Sequence, residues 1–299
     1  MTRNPYLDDN LKPSLQKSMF VYLDILGYSE MFDQSQQDGT EKELLQRLYK
    51  VMTNQMTLLR DVVLMPAESQ EPLRLENVRQ RPCKSEEFLE RHLNAIKAFT
   101  DNIMIGWPFL EEGPFDGESA WGLAFEKLAD LQLQMVLEGF FIRGALSVNE
   151  AFMGNNFVFG KALHEAHESE SECARDPRII LTSSAVEAVR KYHNYYTKPE
   201  ESPFIREVLQ DSDGQWFVNY LDPAIMYERG IVLFEDKFRR HKVVVEERLD
   251  EYKGKPAIWS KYAWVAGYHN YIYELNKNCF EEDHKINIEK FRGIPRPIF

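Results

Sequence analysis

Two aspartates stand where a charge is unfavourable. Asp24 interrupts the apolar run at 19–26 (MFVYLDIL), and Asp101 sits beside Asn102 between short β-like runs at 96–100 and 103–107. A charge inside an apolar strand is costly unless it is paired or binds a metal. Two polar turn formers between apolar runs predict a tight hairpin. If the first strand lies beside that hairpin, both carboxylates point at one spot. A divalent cation relieves their repulsion, and hard oxygen ligands favour Mg²⁺ or Mn²⁺ with substrate phosphates completing the shell. Such a pair is the minimal apparatus of two-metal phosphoryl transfer. Gly27, just past the strand, gives a phosphate close access to backbone amides. The same residues also have a structural reading, in which Asp24 ends a strand and Asp101 fills a turn. Arg143 lies inside a third β-like run (FFIRGALSV) and needs a partner there, either a carboxylate or a substrate phosphate.

The elements that must position these residues follow from periodicity. Residues 41–64 carry apolar side chains at helical spacing, and 122–138 form a strong amphipathic helix. Residues 140–148 read as a strand, 155–160 as a loop and short β-like run, 162–172 as an acidic helix, and 179–182 as a strand followed by a helix to about residue 195. Helices alternate with strands and a hairpin supplies antiparallel pairing. The fold class is therefore α+β, a mixed β-sheet with packed helices. Beyond it lie a β-like piece at 215–221 and two long helices, 231–252 and 257–277. The second is aromatic-rich, with Trp259, Tyr262, Trp264, Tyr268, Tyr271 and Tyr273 at a spacing that reads as a buried seam. The domain reading is a polar tail at 1–17, a catalytic domain at 18–200 with an insertion at 65–90, and a mostly helical C-terminal extension at 201–299.

Composition bounds the function. The chain has 299 residues, 36 basic and 48 acidic, for a formal charge of −12. That balance argues against DNA or RNA as partner, because a phosphate-backbone binder needs clustered cations. No run of about 18 apolar residues predicts a membrane span, and the first residues lack a signal-peptide pattern. The three cysteines form neither a disulfide framework nor a CxxC site, so a reducing cytoplasm is the expected compartment. His164 and His167, flanked by Glu165 and Glu168, read as a solvated helix face.

The motifs together resemble the class III nucleotidyl cyclase family. FVYLDILGYSEMF is similar to its first metal motif, KAFTDNIMIG to the hairpin carrying its second metal aspartate, FFIRGALSVNEAFMG to the strand that follows, and FVFGKALHEAHESE to its glycine-led helix. The resemblance runs from 20 to 182 in the right order. It implies a ferredoxin-like core and two Mn²⁺ or Mg²⁺ ions per site, held by Asp24, Asp101 and the Ile25 carbonyl. Leu26, Gly27 and Tyr28 would cradle the triphosphate, and a homodimer would share its active sites. The 3′-hydroxyl would attack the α-phosphorus and pyrophosphate would leave.

The departures from that pattern shape the expectation. Lys97 matches the base-reading lysine of adenine-selecting cyclases, but Phe157 replaces its companion aspartate. His164 and Glu168 stand where the family has an asparagine and a transition-state arginine, so another cation is needed; Arg143, Arg175 and Arg178 are candidates. Retained metal aspartates with altered purine positions resemble the divergent bacterial pyrimidine cyclases of anti-phage signalling (the Pycsar type). The resemblance implies cyclisation of UTP first and CTP second, with an effector acting downstream without direct contact. The alternatives are a purine cyclase, a catalytically silent nucleotide-binding or dimerisation module, and an unrelated α+β interaction protein.

Overall fold

The structure, a computed structural model, describes residues 4–8, 10–60, 94–108, 118–193, 198, 202, 204–227, 231–233 and 235–291. The expected insertion at 65–90, Cys83 and the end of the helix expected to reach residue 195 lie outside these residues.

Strand β1 (Gln16–Ile25) shows the period of two that its sequence demands. Met19, Val21, Leu23 and Ile25 enter the main core, while Phe20 and Tyr22 belong to a second, smaller cluster on the other face. Both faces are covered, which is why the run reads as continuously apolar. Gly27, at φ +70°, turns the chain into α1 (Tyr28–Asp38), and α2 (Glu41–Arg60) follows. The hydrophobic pattern gives no sign of α1, because YSEMFDQSQQD is mostly polar.

The hairpin is present as β2 (Ala95–Phe99) and β3 (Asn102–Pro108). Its tip is Thr100–Asp101 rather than Asp101–Asn102, since Asn102 already pairs with Phe99 and Asp24. Next come α3 (Glu118–Leu137), β4 (Ile142–Met153), β5 (Val158–Phe159), α4 (Lys161–Cys173), β6 (Ile179–Leu181) and α5 (Ser183–His193). The remaining elements are α6 (Phe204–Glu207), β7 (Val208–Gln210), β8 (Trp216–Val218), β9 (Ile225–Tyr227), β10 (Ile231–Leu233), α7 (Glu235–Glu251) and α8 (Pro256–Leu275).

The main sheet runs β2-β3-β1-β4-β6-β8-β7, with β5 paired to β4 off that path. Pairings are antiparallel except β4 with β6. The first four strands with their helices form the split β-α-β-β-α-β arrangement of a ferredoxin-like core. The α+β expectation therefore holds, as does the helical C-terminal part.

Three further details differ from the sequence reading. The polar opening segment is docked: Tyr6 is fully buried and its hydroxyl donates to Ser18 Oγ at 3.0 Å. Gly106 makes this docking fit, because a Cβ there would lie 2.3 Å from the Tyr6 hydroxyl. Residues 231–233 form β10 rather than the start of a helix, and α7 begins at Glu235. An apolar β-branched run carries no helical period of its own, so a β9 partner decides it. Finally, β7 and β8 extend the main sheet, so residues past 201 complete it as well as adding helices.

Tyr262, Tyr268 and Tyr273 of α8 are buried as the seam reading expects, whereas Tyr271 is half exposed.

Candidate functional site

The register puts Asp24 between Asn102 of β3 and Arg143 of β4, at one end of the central strands. Asp101 is pinned beside it: the Ile25 N–H donates to the Asp101 carbonyl at 2.9 Å. Thr100 precedes it at φ +55°, left-handed backbone that a β-branched residue rarely adopts, at a penalty of about 1–3 kcal/mol. The Thr100 hydroxyl and the Asn102 amide both donate to Asp101 Oδ1, at 2.7 and 2.9 Å. The structure thus sets Asp24 and Asp101 beside each other at one sheet end.

Arg143 finds carboxylates. Its Nε lies 3.2 Å from Asp24 Oδ2, its Nη2 lies 2.8 Å from Glu170 Oε1, and its Nη1 donates to the Ala174 carbonyl at 3.3 Å. Of the two partners left open by the sequence, a carboxylate is the one observed. Glu170 is buried, although its helix reads as acidic along its length. Ala162, Ala166 and Glu170 are the buried residues of α4, spaced by four, and this stripe was the legible signal. Burial holds the Glu170 carboxyl above the usual carboxylate range, with Arg143 opposing. Tyr22 is the other residue not foreseen. Burial first, then Glu170, Asp24 and Asp101, push its hydroxyl up, so one phenol feels all three carboxylates.

After β1, Leu26 and Tyr28 pack against the main core and Leu26 N–H donates to Phe141 O at 2.8 Å. Gly27 is exposed between them, and the first backbone bond of α1 runs from Met31 N–H to Gly27 O at 2.9 Å. The amides before Met31 precede the helical ladder, where an anion can meet them.

Other expected residues lie elsewhere. Lys97 sits on the outer strand β2, in a row with Met104 and Tyr22, next to the Asp24 row on the same face. Phe157 lies in the turn between β4 and β5, 58% exposed, with its ring 5.2 Å from Phe152. Nine residue steps along β4 separate Arg143 from Phe152, roughly 30 Å of strand. Within one chain, therefore, Phe157 and Asp24 are not brought together.

Arg178 is removed as a candidate cation. Its side chain is fully buried, paired with Asp211 and Asp213, and its guanidinium lies 5.2 Å from the Trp264 ring centroid. It staples the β7–β8 turn to α8. Glu168, His164 and His167 are exposed.

Asp24 and Asp101 each keep one oxygen, Oδ1 and Oδ2 respectively, that accepts no hydrogen bond among the described residues. Two such oxygens with the Ile25 carbonyl are hard donors suited to Mg²⁺ or Mn²⁺. Among the described residues, no group of three or more His, Cys, Asp or Glu side chains could hold a metal ion. Nor is any helix there long and apolar enough to cross a membrane.

No protein-family model matches the chain, and no curated protein matches it. Among solved structures it is similar to the guanylyl cyclase Cya2, at 13% identity and a TM-score of 0.36, over 69% of this chain and 92% of that one.

Proposed function

We propose that this chain is a metal-dependent nucleotidyl cyclase that converts a pyrimidine ribonucleoside triphosphate, UTP ahead of CTP, to its 3′,5′-cyclic monophosphate and pyrophosphate. One observation carries the reading. Asp24 and Asp101 meet at the end of the central strands of a split β-α-β-β-α-β core, each with a free oxygen. The ordered motifs from 20 to 182 supply the chemistry that such a site would perform.

Asp24, Asp101 and the Ile25 carbonyl would hold two Mn²⁺ or Mg²⁺ ions. When bound, these ions neutralise phosphate charge and make the 3′-hydroxyl more acidic. The chain's own residues do the rest. The amides of Gly27 and Tyr28 receive the phosphates; the Leu26 N–H is already given to the Phe141 carbonyl. Arg143, held by Glu170, fixes the Asp24 carboxylate through Oδ2 and leaves Oδ1 facing the site. A bond forms from the 3′-oxygen to the α-phosphorus as the bond to the bridging oxygen breaks, and the 3′ proton leaves to water.

Phe157 lies beyond the end of β4 opposite Arg143, the residue paired with Asp24 of β1, so a base wall from Phe157 needs a second copy. A two-fold pair of antiparallel sheets would bring the partner's turn to the Asp24 end of this chain. The proposed enzyme is accordingly a homodimer with shared sites; the reading also makes it a cytoplasmic protein that signals through its cyclic product to a separate anti-phage effector. Phe157 cannot accept from an adenine amino group, which favours a pyrimidine.

Incubation of the purified protein with each of the four ribonucleoside triphosphates and Mn²⁺, with products identified by mass spectrometry, tests this. A cyclic pyrimidine monophosphate, absent with Asp24→Ala and Asp101→Ala, is the expected result. Product from ATP or GTP alone would overturn the pyrimidine assignment. A second reading, a silent nucleotide-binding module, is favoured by α4, which carries no arginine and exposes Glu168. Bound nucleotide with no product from any triphosphate would select it.

A further inference from the structure

Asp101 is held from behind. Its Oδ1 accepts from the Asn102 amide at 2.9 Å and lies 2.7 Å from the Thr100 hydroxyl. That hydroxyl has one proton and is equally close, 2.7 Å, to the Phe99 carbonyl. Asn102 is therefore the steadier donor. An ionised carboxylate can only accept, so the Asn102 atom facing it is the nitrogen, and the amide oxygen faces away. There the oxygen meets the Tyr22 hydroxyl, which must donate because an amide oxygen only accepts. The hydrogen bonds thus run one way, from Tyr22 through Asn102 to Asp101.

Two strands and a helix set up this relay. In the β1–β3 register Asn102 pairs with Asp24 and Met104 with Tyr22, so Tyr22, Asp24 and Asn102 share one sheet face. The Tyr22 ring stands edge-on to His167 of α4, with ring centres 5.0 Å apart. Beside Asp101, Asp24 is restricted in the same manner, because Arg143 Nε lies 3.2 Å from its Oδ2. Each aspartate therefore presents one oxygen rather than two. Single oxygens suit a small octahedral ion, whereas Ca²⁺ takes more ligands and can take both oxygens of one carboxylate.

We propose that Tyr22 and Asn102 are positioning residues of the metal site: the Tyr22 hydroxyl locks the Asn102 amide, and the amide turns Asp101 so that Oδ2 alone faces the ion. Hydrogen-bonded partners behind a ligand tune metal affinity in this way. The inference rests on the cyclase reading for what the metal does, while the relay itself rests on the hydrogen bonds.

The test uses the full-length protein with Mn²⁺ alone, followed by electron paramagnetic resonance, then Ca²⁺ in competition, with UTP turnover measured alongside. Asn102→Ala should weaken Mn²⁺ binding about tenfold. Tyr22→Phe, which keeps the ring, should weaken it about threefold or more, the net worth of one hydrogen bond. In the Asn102→Ala background Tyr22→Phe should add nothing, because the hydroxyl acts through the amide. Ca²⁺ affinity should fall less than Mn²⁺ affinity in both variants. If the wild type binds Mn²⁺ and cyclises UTP, the inference falls, and the cyclase reading stands, on any of three results: Tyr22→Phe binds Mn²⁺ as tightly as wild type, the two substitutions act independently, or both ions lose equally. If Mn²⁺ affinity depends on the relay but no triphosphate is cyclised, the positioning role stands and the cyclase reading falls. A wild type that binds no Mn²⁺ sinks both.

Discussion

Arg143 is bound by two carboxylates that the fold has already desolvated. Removing it leaves Asp24 and buried Glu170 facing each other without a cation. Arg143→Ala should therefore lower stability by about 1–3 kcal/mol, discounted from a fully buried pair because the arginine side chain is 25% exposed. Urea unfolding measures this, and an unchanged midpoint would show the ion pair to be idle. The second residue-scale feature is a buried histidine relay. His269 Nε2 lies 2.9 Å from the His284 carbonyl, which can only accept, so that nitrogen carries the proton. His269 Nδ1 must then accept from His241 Nδ1–H at 3.0 Å, and His241 Nε2 accepts from the Tyr220 hydroxyl at 3.0 Å. A further proton on His269 would set N–H against N–H, and burial disfavours a charge on either ring. Burial pushes His269 down to about 4 and lowers His241 as well. A base depressed in the folded state is protonated first in the unfolded chain. The stability it contributes is present above the ordinary histidine pKa near 6.5 and is lost as pH falls towards 4. Melting temperatures should decline across that window, and an NMR titration showing either ring protonating near 6.5 in the folded protein would contradict the relay.

At the scale of elements, the site depends on how closely β1, β4 and α4 approach. A Cβ on Gly144 would lie 2.3 Å from the Tyr22 carbonyl oxygen, and one on Gly160 would lie 2.4 Å from the Glu150 carbonyl oxygen. Both contacts are with backbone, so the strands themselves must move. Gly144→Ala should cost about 1–3 kcal/mol by overpacking. It should also reduce activity beyond the stability loss, because it pushes Arg143 away from Asp24. Circular dichroism melts and UTP turnover, measured on the same preparation, separate the two effects. Helix α4 acts through the same packing. Its Ala162 and Ala166 let it lie close on β4, and that closeness is what delivers Glu170 to Arg143.

At the scale of the molecule, the sheet has two ends that carry exposed aromatic rings. Asp24, Asp101 and Phe99 mark one, and Phe157 and Phe159 the other, with Phe99, Phe157 and Phe159 exposed at 73, 58 and 60%. Solvent-facing phenyl rings at both ends suit a pair of chains in which each end meets the other's opposite. Asp24→Ala and Phe157→Ala should each be inactive, and mixing them should restore activity through heterodimers that hold one intact site. Failure of mixtures to complement, with both variants folded, would argue that each chain works alone.

The sequence by itself determined the α+β alternation, the hairpin and the candidacy of Asp24 and Asp101. These signals are local: a charge breaking an apolar period, and polar residues between two apolar runs. It also located the aromatic seam of α8, which repeats at helical spacing. The tertiary structure alone decided that Arg143 meets Asp24 and Glu170, and that Arg178 is a staple rather than a ligand. It alone placed Tyr6 inside the fold. Those pairings join residues as much as 119 positions apart, and no period along one chain encodes which distant charge a buried charge will meet. Strand register and helix packing make that choice, because a charge taken out of water must find its partner wherever the fold sets one down.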